Sequence, residues 1–145
     1  MIAENLPLPP ISPAALLLAD RHRNIEEVLA DVEDLARRRS FLTASKRFGE
    51  LYRAFEQHAN AEEVVWLPRI EQRWPERKAE VEVVRAEHLA LREQMEQVSR
   101  ALTAWQPDES VSRLAELRAL IEAHHAREEA EIYPAVVALH ATMPR

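Results

Sequence analysis

The chain has no cysteine, one glycine (Gly49) and no long apolar run. Without cysteine there can be no disulfide, thiolate zinc site, iron–sulfur ligation or cysteine nucleophile, so any metal must be held by nitrogen and oxygen. Scarcity of glycine argues against a hairpin-rich sheet, whose tight turns draw on Gly and Asn, and the abundance of Ala, Leu, Glu, Arg and Val favours helix. The apolar patch from Ala14 to Ala19 is too short to cross a membrane or to form the core of a secretion signal, and Glu4 stands where such a signal would be basic. A net charge of −6 argues against a broad nucleic-acid face. The local run Arg37-Arg38-Arg39 reads as a solvated helix end, where cations meet the last carbonyls. These absences lead us to expect a cytoplasmic protein with no nucleic-acid and no membrane partner. At 145 residues it is long enough for one domain with its own core.

What the sequence does contain is helical periodicity. Residues 1–11, with three prolines, read as an extended arm, and residues 12–145 as the domain. Ser12-Pro13 is a helix start, and Leu18, His22, Ile25, Leu29, Val32 and Ala36 form one stripe of a helix reaching about Arg38. A second helix, from about Ser40 to Gln72, carries Phe48, Leu51, Phe55, His58, Glu62 and Val65 on its stripe. Trp74-Pro75 opens a third, with Val81, Val84, His88, Leu91, Met95, Val98 and Leu102. A fourth follows Pro107, with Leu114, Leu117, Ile121, His124, Glu128 and Ile132. The expected class is therefore all-α. Pro68 and Pro134 should bend or end the second and fourth helices.

His22, His58, Glu62 and Pro68 recur 66 positions later as His88, His124, Glu128 and Pro134, although the halves otherwise match poorly. Such a period is the mark of a duplicated unit, here a helical hairpin written twice, giving an up-down-up-down antiparallel four-helix bundle. All six ionisable residues of the repeat fall on apolar stripes. Burying such groups costs several kcal/mol unless they are neutralised, paired or bound to metal, roughly the whole margin of a domain's stability. In an antiparallel bundle two residues share a level when the turn lies midway between them. The midpoints for successive histidines are residues 40, 73 and 106, at or beside Ser40, Trp74-Pro75 and Pro107. His58-x-x-x-Glu62 and His124-x-x-x-Glu128 each present an imidazole and a carboxylate one turn apart. Four imidazoles and two carboxylates at one level are a two-metal ligand set. Protons competing for imidazoles with an ordinary pKa of ~6.5 should displace metal as the pH falls toward and below about 6.

These residues resemble the haemerythrin-like, or HHE cation-binding, family over about residues 14 to 138. The resemblance rests on His22, on His58-Ala-Asn-Ala-Glu62-Glu63 leading to Trp66-Leu67-Pro68, on Glu87-His88, and on His124-His125-Ala-Arg-Glu128-Glu129 leading to Tyr133-Pro134. It implies a four-helix bundle with two non-haem iron ions, His22 and His58 on one, His88 and His124 on the other, Glu62 and Glu128 bridging. Oxygen-carrying members have a further histidine one turn after the third-helix ligand. Here that position is Arg92, which points away from reversible oxygen carriage and toward an open position, with a cation near a bound anion.

A ferritin-like site wants two ExxH motifs, and only Glu122-x-x-His125 fits, with Glu122 off the stripe. Zinc hydrolysis is a weaker match, since bridging carboxylates on a duplicated bundle favour iron or manganese, and of these the resemblance implies iron. His125 lies about 100° around the helix from His124, which favours a surface place or a supporting one over ligation. Glu63, Glu87 and Glu129 could orient imidazoles through their outer N–H groups or could be solvated. Trp66 and Tyr133, read as matching places just before the prolines, are expected in the core, and His140 in solvent. Two functions remain open: binding or reduction of a small diatomic or peroxidic ligand (oxygen, nitric oxide or peroxide), and iron sensing in which metal stabilises the bundle for a partner. A metal-free interaction bundle would leave the buried ionisable residues unexplained.

Overall fold

A computed structural model describes residues 13–142; the expected arm and Ser12 lie outside them. In chain order the elements are α1 (Pro13–Arg37), α2 (Phe41–Ala61), a π turn (Glu62–Trp66), α3 (Leu67–Arg73), a 3-10 turn (Pro75–Arg77), α4 (Lys78–Thr103), α5 (Pro107–Arg127), a second π turn (Glu128–Ile132) and α6 (Tyr133–Thr142). The described residues contain no strand. The π turns join α2 to α3 and α5 to α6, so the chain forms four helical rods. α1 packs on α2 and α5, and α4 packs on the same two, which closes a ring.

The stripes bury as the periodicity requires. Ile25, Leu29, Phe48, Leu51, Phe55, Leu91, Met95, Leu114, Leu117 and Ile121 form one apolar cluster. Leu18, Trp66, Leu67, Ile70, Val81, Val84, Ile132, Tyr133, Val136 and Leu139 form another. The repeated histidines fall between the two: His22 lies one turn from Leu18 and one from Ile25. The polar residues thus sit in a layer sealed by hydrophobic packing on both sides, out of reach of bulk water.

The backbone repeats more faithfully than the side chains. α1 and α4 both end in a Schellman turn. Ser40 N–H donates to Leu35 O (2.9 Å) and Arg39 N–H to Ala36 O (3.0 Å); Gln106 N–H donates to Ala101 O (3.0 Å) and Trp105 N–H to Leu102 O (3.2 Å). Arg39 and Trp105, 66 positions apart, take the left-handed conformation at φ 61° and 54°, where glycine is usual. Each costs on the order of 1 kcal/mol, and the ring of Phe41 stacks on that of Trp105 at 6.1 Å. Phe41 and Pro107, Glu62 and Glu128, and Leu67 and Tyr133 start the corresponding elements at the same period.

Of the expected bend or end, Pro68 and Pro134 do not produce the end: the helix runs on through each. The preceding π turn takes one extra residue: Leu67 N–H reaches Glu62 O and Tyr133 N–H reaches Glu128 O, both five residues back. The widened turn accommodates a residue without an N–H, and the helix continues. It also shifts the stripe by one residue, so Trp66 is buried where Val65 was expected, and Val65 is only half-buried.

Candidate metal centre

Each of the four rods contributes to one buried polar cluster: His22 from α1, His58 and Glu62 from the second rod, His88 from α4, His124 and Glu128 from the fourth. All six are at most 2% exposed. His22 Nε2 lies 2.8 Å from His58 Nε2 and 3.0 Å from Glu128 Oε1. His58 Nε2 is 3.4 Å from Glu62 Oε2 and from Glu128 Oε1. On the other side, His88 Nε2 lies 3.1 Å from Glu62 Oε1 and His124 Nε2 lies 3.0 Å from Glu128 Oε1. Two sets of four ligand atoms result, His22/His58/Glu62/Glu128 and Glu62/His88/His124/Glu128, each within 4.8 Å of one another and sharing both carboxylates.

The donors fit divalent cations better than they fit each other. Two ligands about 2.1 Å from one ion and at right angles stand about 3 Å apart, which is the spacing seen here. Glu62 Oε2 and Glu128 Oε2 are buried with no hydrogen-bond partner among the described residues. Such atoms are costly unless something satisfies them. In the metal-free chain protons perform part of that role. Burial, the largest single influence, lowers the His58 and His88 imidazoles, but the hydrogen bonds and charges of Glu128 and Glu62 outweigh it and raise them to about 9 and about 10. His124 is raised by the same competition, in which Glu128 and then Glu87 oppose burial. Glu62 is pushed up by burial and by the charge of Glu128. Glu128 is held well below its usual range: burial acts upward, but hydrogen bonds from Glu62, His124, His22 and His58 prevail.

The imidazoles are supported unequally from behind. His88 Nδ1–H donates to Glu63 Oε1 (3.0 Å), and Glu63 is gripped by Arg92, whose Nη2–H lies 3.1 Å from Oε2. His124 Nδ1–H donates to Glu87 Oε1 (2.9 Å), and Arg127 Nε–H donates to Glu87 Oε2 (2.9 Å). His58 Nδ1 has no hydrogen-bond partner among the described residues, and His22 Nδ1 lies 3.5 Å from the half-exposed Glu129. Glu63 is held below the usual carboxylate range because, although burial acts upward, Arg92 and His88 bond to it.

The structure sharpens the expectation for three residues. Arg92 does not stand as a free cation beside the cluster: its guanidinium donates to Glu56 (2.7 Å) and Glu63 and lies over the Phe55 ring. His125 is not at the surface. It is 4% exposed, stacked on His22 with ring centroids 3.6 Å apart, and donates through Nδ1 to Glu26 (3.2 Å). Burial and the neighbouring His22 push it down to about 2. A helix flanked by two neighbours buries a sector at least 100° wide, so His124 faces α4 while His125 faces α1. Tyr133 is in the core as expected, but its hydroxyl reaches 2.7 Å from His22 Nε2. In the 66-residue period its counterpart is Leu67, not Trp66. Burial, with the charges of Glu128 and Glu62, raises its phenol well above the ordinary value. Among the described residues no helix is long and apolar enough to cross a membrane, and His140 is exposed as expected.

No curated protein and no solved structure matches the chain closely enough to be counted. The sequence pattern described as "Hemerythrin HHE cation binding domain" matches residues 15–136, the span that carries all six convergent residues, and the chain therefore belongs to the haemerythrin HHE cation-binding family.

Proposed function

We propose that this chain is a cytoplasmic non-haem di-iron protein that binds or reduces a small ligand, oxygen, peroxide or nitric oxide, at an open iron position. The observation that carries the reading is the pair of four-atom ligand sets that share Glu62 and Glu128. His22 and His58 would hold one ion, His88 and His124 the other, with both carboxylates between them. Iron suits this all-nitrogen-and-oxygen set better than zinc or manganese, and would supply redox electrons and exchangeable positions. The residues themselves fix the imidazole rings, exclude water by the two apolar clusters and hold protons on His58 and His88 until metal replaces them. The ring of packed rods supports an up-down-up-down antiparallel bundle of duplicated hairpins within one domain, residues 12–145. Residue 92 supports an open position, since Arg92 is held by Glu56 and Glu63 and supplies no ligand.

An iron-sensing or metal-responsive interaction domain without turnover is the second reading. It is favoured by one feature: the ligands come from all four rods, so an ion ties the whole bundle together. Metal analysis with an electronic spectrum of protein purified in air tests the first reading. About two irons per chain with oxo-to-iron charge-transfer bands are expected; zinc alone, or no metal, would refute it. Reaction of the reduced protein with peroxide, nitric oxide and oxygen, set against metal-dependent changes in melting temperature, separates the two readings.

A further inference from the structure

Tyr133 OH lies 2.7 Å from His22 Nε2, the nitrogen that faces His58 Nε2 and Glu128 Oε1, and 3.3 Å from the Nδ1 of the same ring. The shorter distance is close to the 2.8 and 3.0 Å that separate His22 Nε2 from His58 Nε2 and Glu128 Oε1. The phenol is buried, and it reaches the cluster because of the π turn. In an unbroken α-helix at about 100° per residue, a side chain five positions after Glu128 would lie about 140° around from it. The extra residue in Glu128–Ile132 brings Tyr133 back toward the face of Glu128. On the other half the same backbone position holds Leu67, which has no donor atom.

We propose that Tyr133 is a fifth ligand, through its phenol oxygen, to the ion held by His22, His58, Glu62 and Glu128, which leaves the His88/His124 ion with four protein donors and the site for exogenous ligand. This rests on the two-ion reading above. On coordination the O–H bond breaks, an oxygen lone pair forms the bond to the ion, and the proton is released to solvent. The cation reverses the local electrostatics that keep the phenol protonated in the metal-free chain. The vacancy then falls on the side of Arg92, one turn after His88, where no side chain supplies a donor.

Resonance Raman and electronic spectra of the air-purified, iron-loaded full chain test this, with Tyr133→Phe as the comparison. Tyrosine ring modes enhanced through a phenolate-to-iron(III) band are expected in the parent and absent from the variant, while iron content stays at the parent's level. A parent with a full complement of iron and no tyrosine-enhanced modes overturns the proposal and leaves the di-iron reading intact. Enhanced modes that persist unchanged in the variant overturn the assignment to Tyr133. A parent that takes up no iron overturns both. Because the parent spectrum alone can fail the proposal, the test does not depend on the variant folding.

Discussion

The two halves of the centre come from equivalent positions of a repeat, yet they are held differently. Around His88 and His124 each imidazole donates outward to a carboxylate, Glu63 or Glu87, that is itself fixed by an arginine. Around His22 and His58 that outer layer is missing or weak, and a phenol and a stacked imidazole stand inside instead. An outer carboxylate fixes a ring's tautomer and orientation and makes its inner nitrogen a better donor. The braced half can therefore keep its geometry with fewer ligands, whereas the other half depends on inner contacts. We expect metal to enter the His88/His124 side first and to leave it last.

The largest expected effect abolishes the comparison. Glu62→Ala or Glu128→Ala removes a residue common to both sets, and iron should fall from about two per chain toward none while the helical circular dichroism persists. His58→Ala should empty its own half only, so retention of both irons would remove His58 from the ligand set. Folding should survive, because alanine is accepted on an apolar stripe and removing a buried polar group often stabilises the metal-free form.

The next effect is on pH dependence. In the metal-free protein His58 and His88 hold protons to about 9 and about 10, against ~6.5 in an unfolded chain. Their contribution to stability is fully present below ~6.5 and is lost as the pH rises through the folded values. His125, held down to about 2, contributes in the opposite sense, with stability lost as the pH falls below ~6.5. The melting temperature of the metal-free protein should therefore decline from neutral pH toward 10, and the decline should vanish in the iron-loaded protein, where metal has replaced the protons. Proton competition with metal should therefore begin above the pH of about 6 that ordinary histidines suggest. A metal-free melting temperature that is flat across this range would show that these two histidines are not held protonated.

The outer layer gives a smaller and more selective effect. Glu87→Gln should speed loss of iron to a chelator by about 10–100-fold, whereas Glu129→Gln, at the surface beside His22, should change it little. Equal effects would mean that the two halves are held alike. Arg92→His releases Glu63 and places an imidazole one turn after His88; peroxide consumption by the reduced protein should slow several-fold if that side is the open one. The smallest effect concerns the scaffold. Gly49 lies inside α2, its counterpart in the second half is Ala115, and an added Cβ would meet only Arg53 Nη1 at 3.7 Å. Gly49→Ala should raise stability by about 0.5–1 kcal/mol without altering iron content.

The six convergent residues were legible because ionisable groups on apolar stripes stand out against the pattern, and turn midpoints fix their level without side-chain detail. The outer layer was not. Glu63, Glu87 and Glu129 are three of many glutamates, and whether each turns inward or to solvent depends on arginines from elsewhere in the bundle. His125 could be read only as a surface or a supporting residue, because a one-residue offset looks like the helix surface until both neighbours are known. The π turns had Pro68 and Pro134 as their only local signal, and proline alone reads more simply as a break. Missing them put Val65 on the stripe.

Those π turns set how the protein can change length. Surface loops tolerate insertions and deletions, but a single-residue deletion within Glu63–Val65 or Glu129–Glu131 would restore an ordinary α-helix and turn everything beyond it by about 100°. Leu67 and Ile70, or Tyr133 and Val136, would leave the core together, although no buried residue had been substituted. Over these stretches the chain's tolerance is inverted: exchanges of exposed residues such as Val64 are mild, while the number of residues is as constrained as the identity of the ligands.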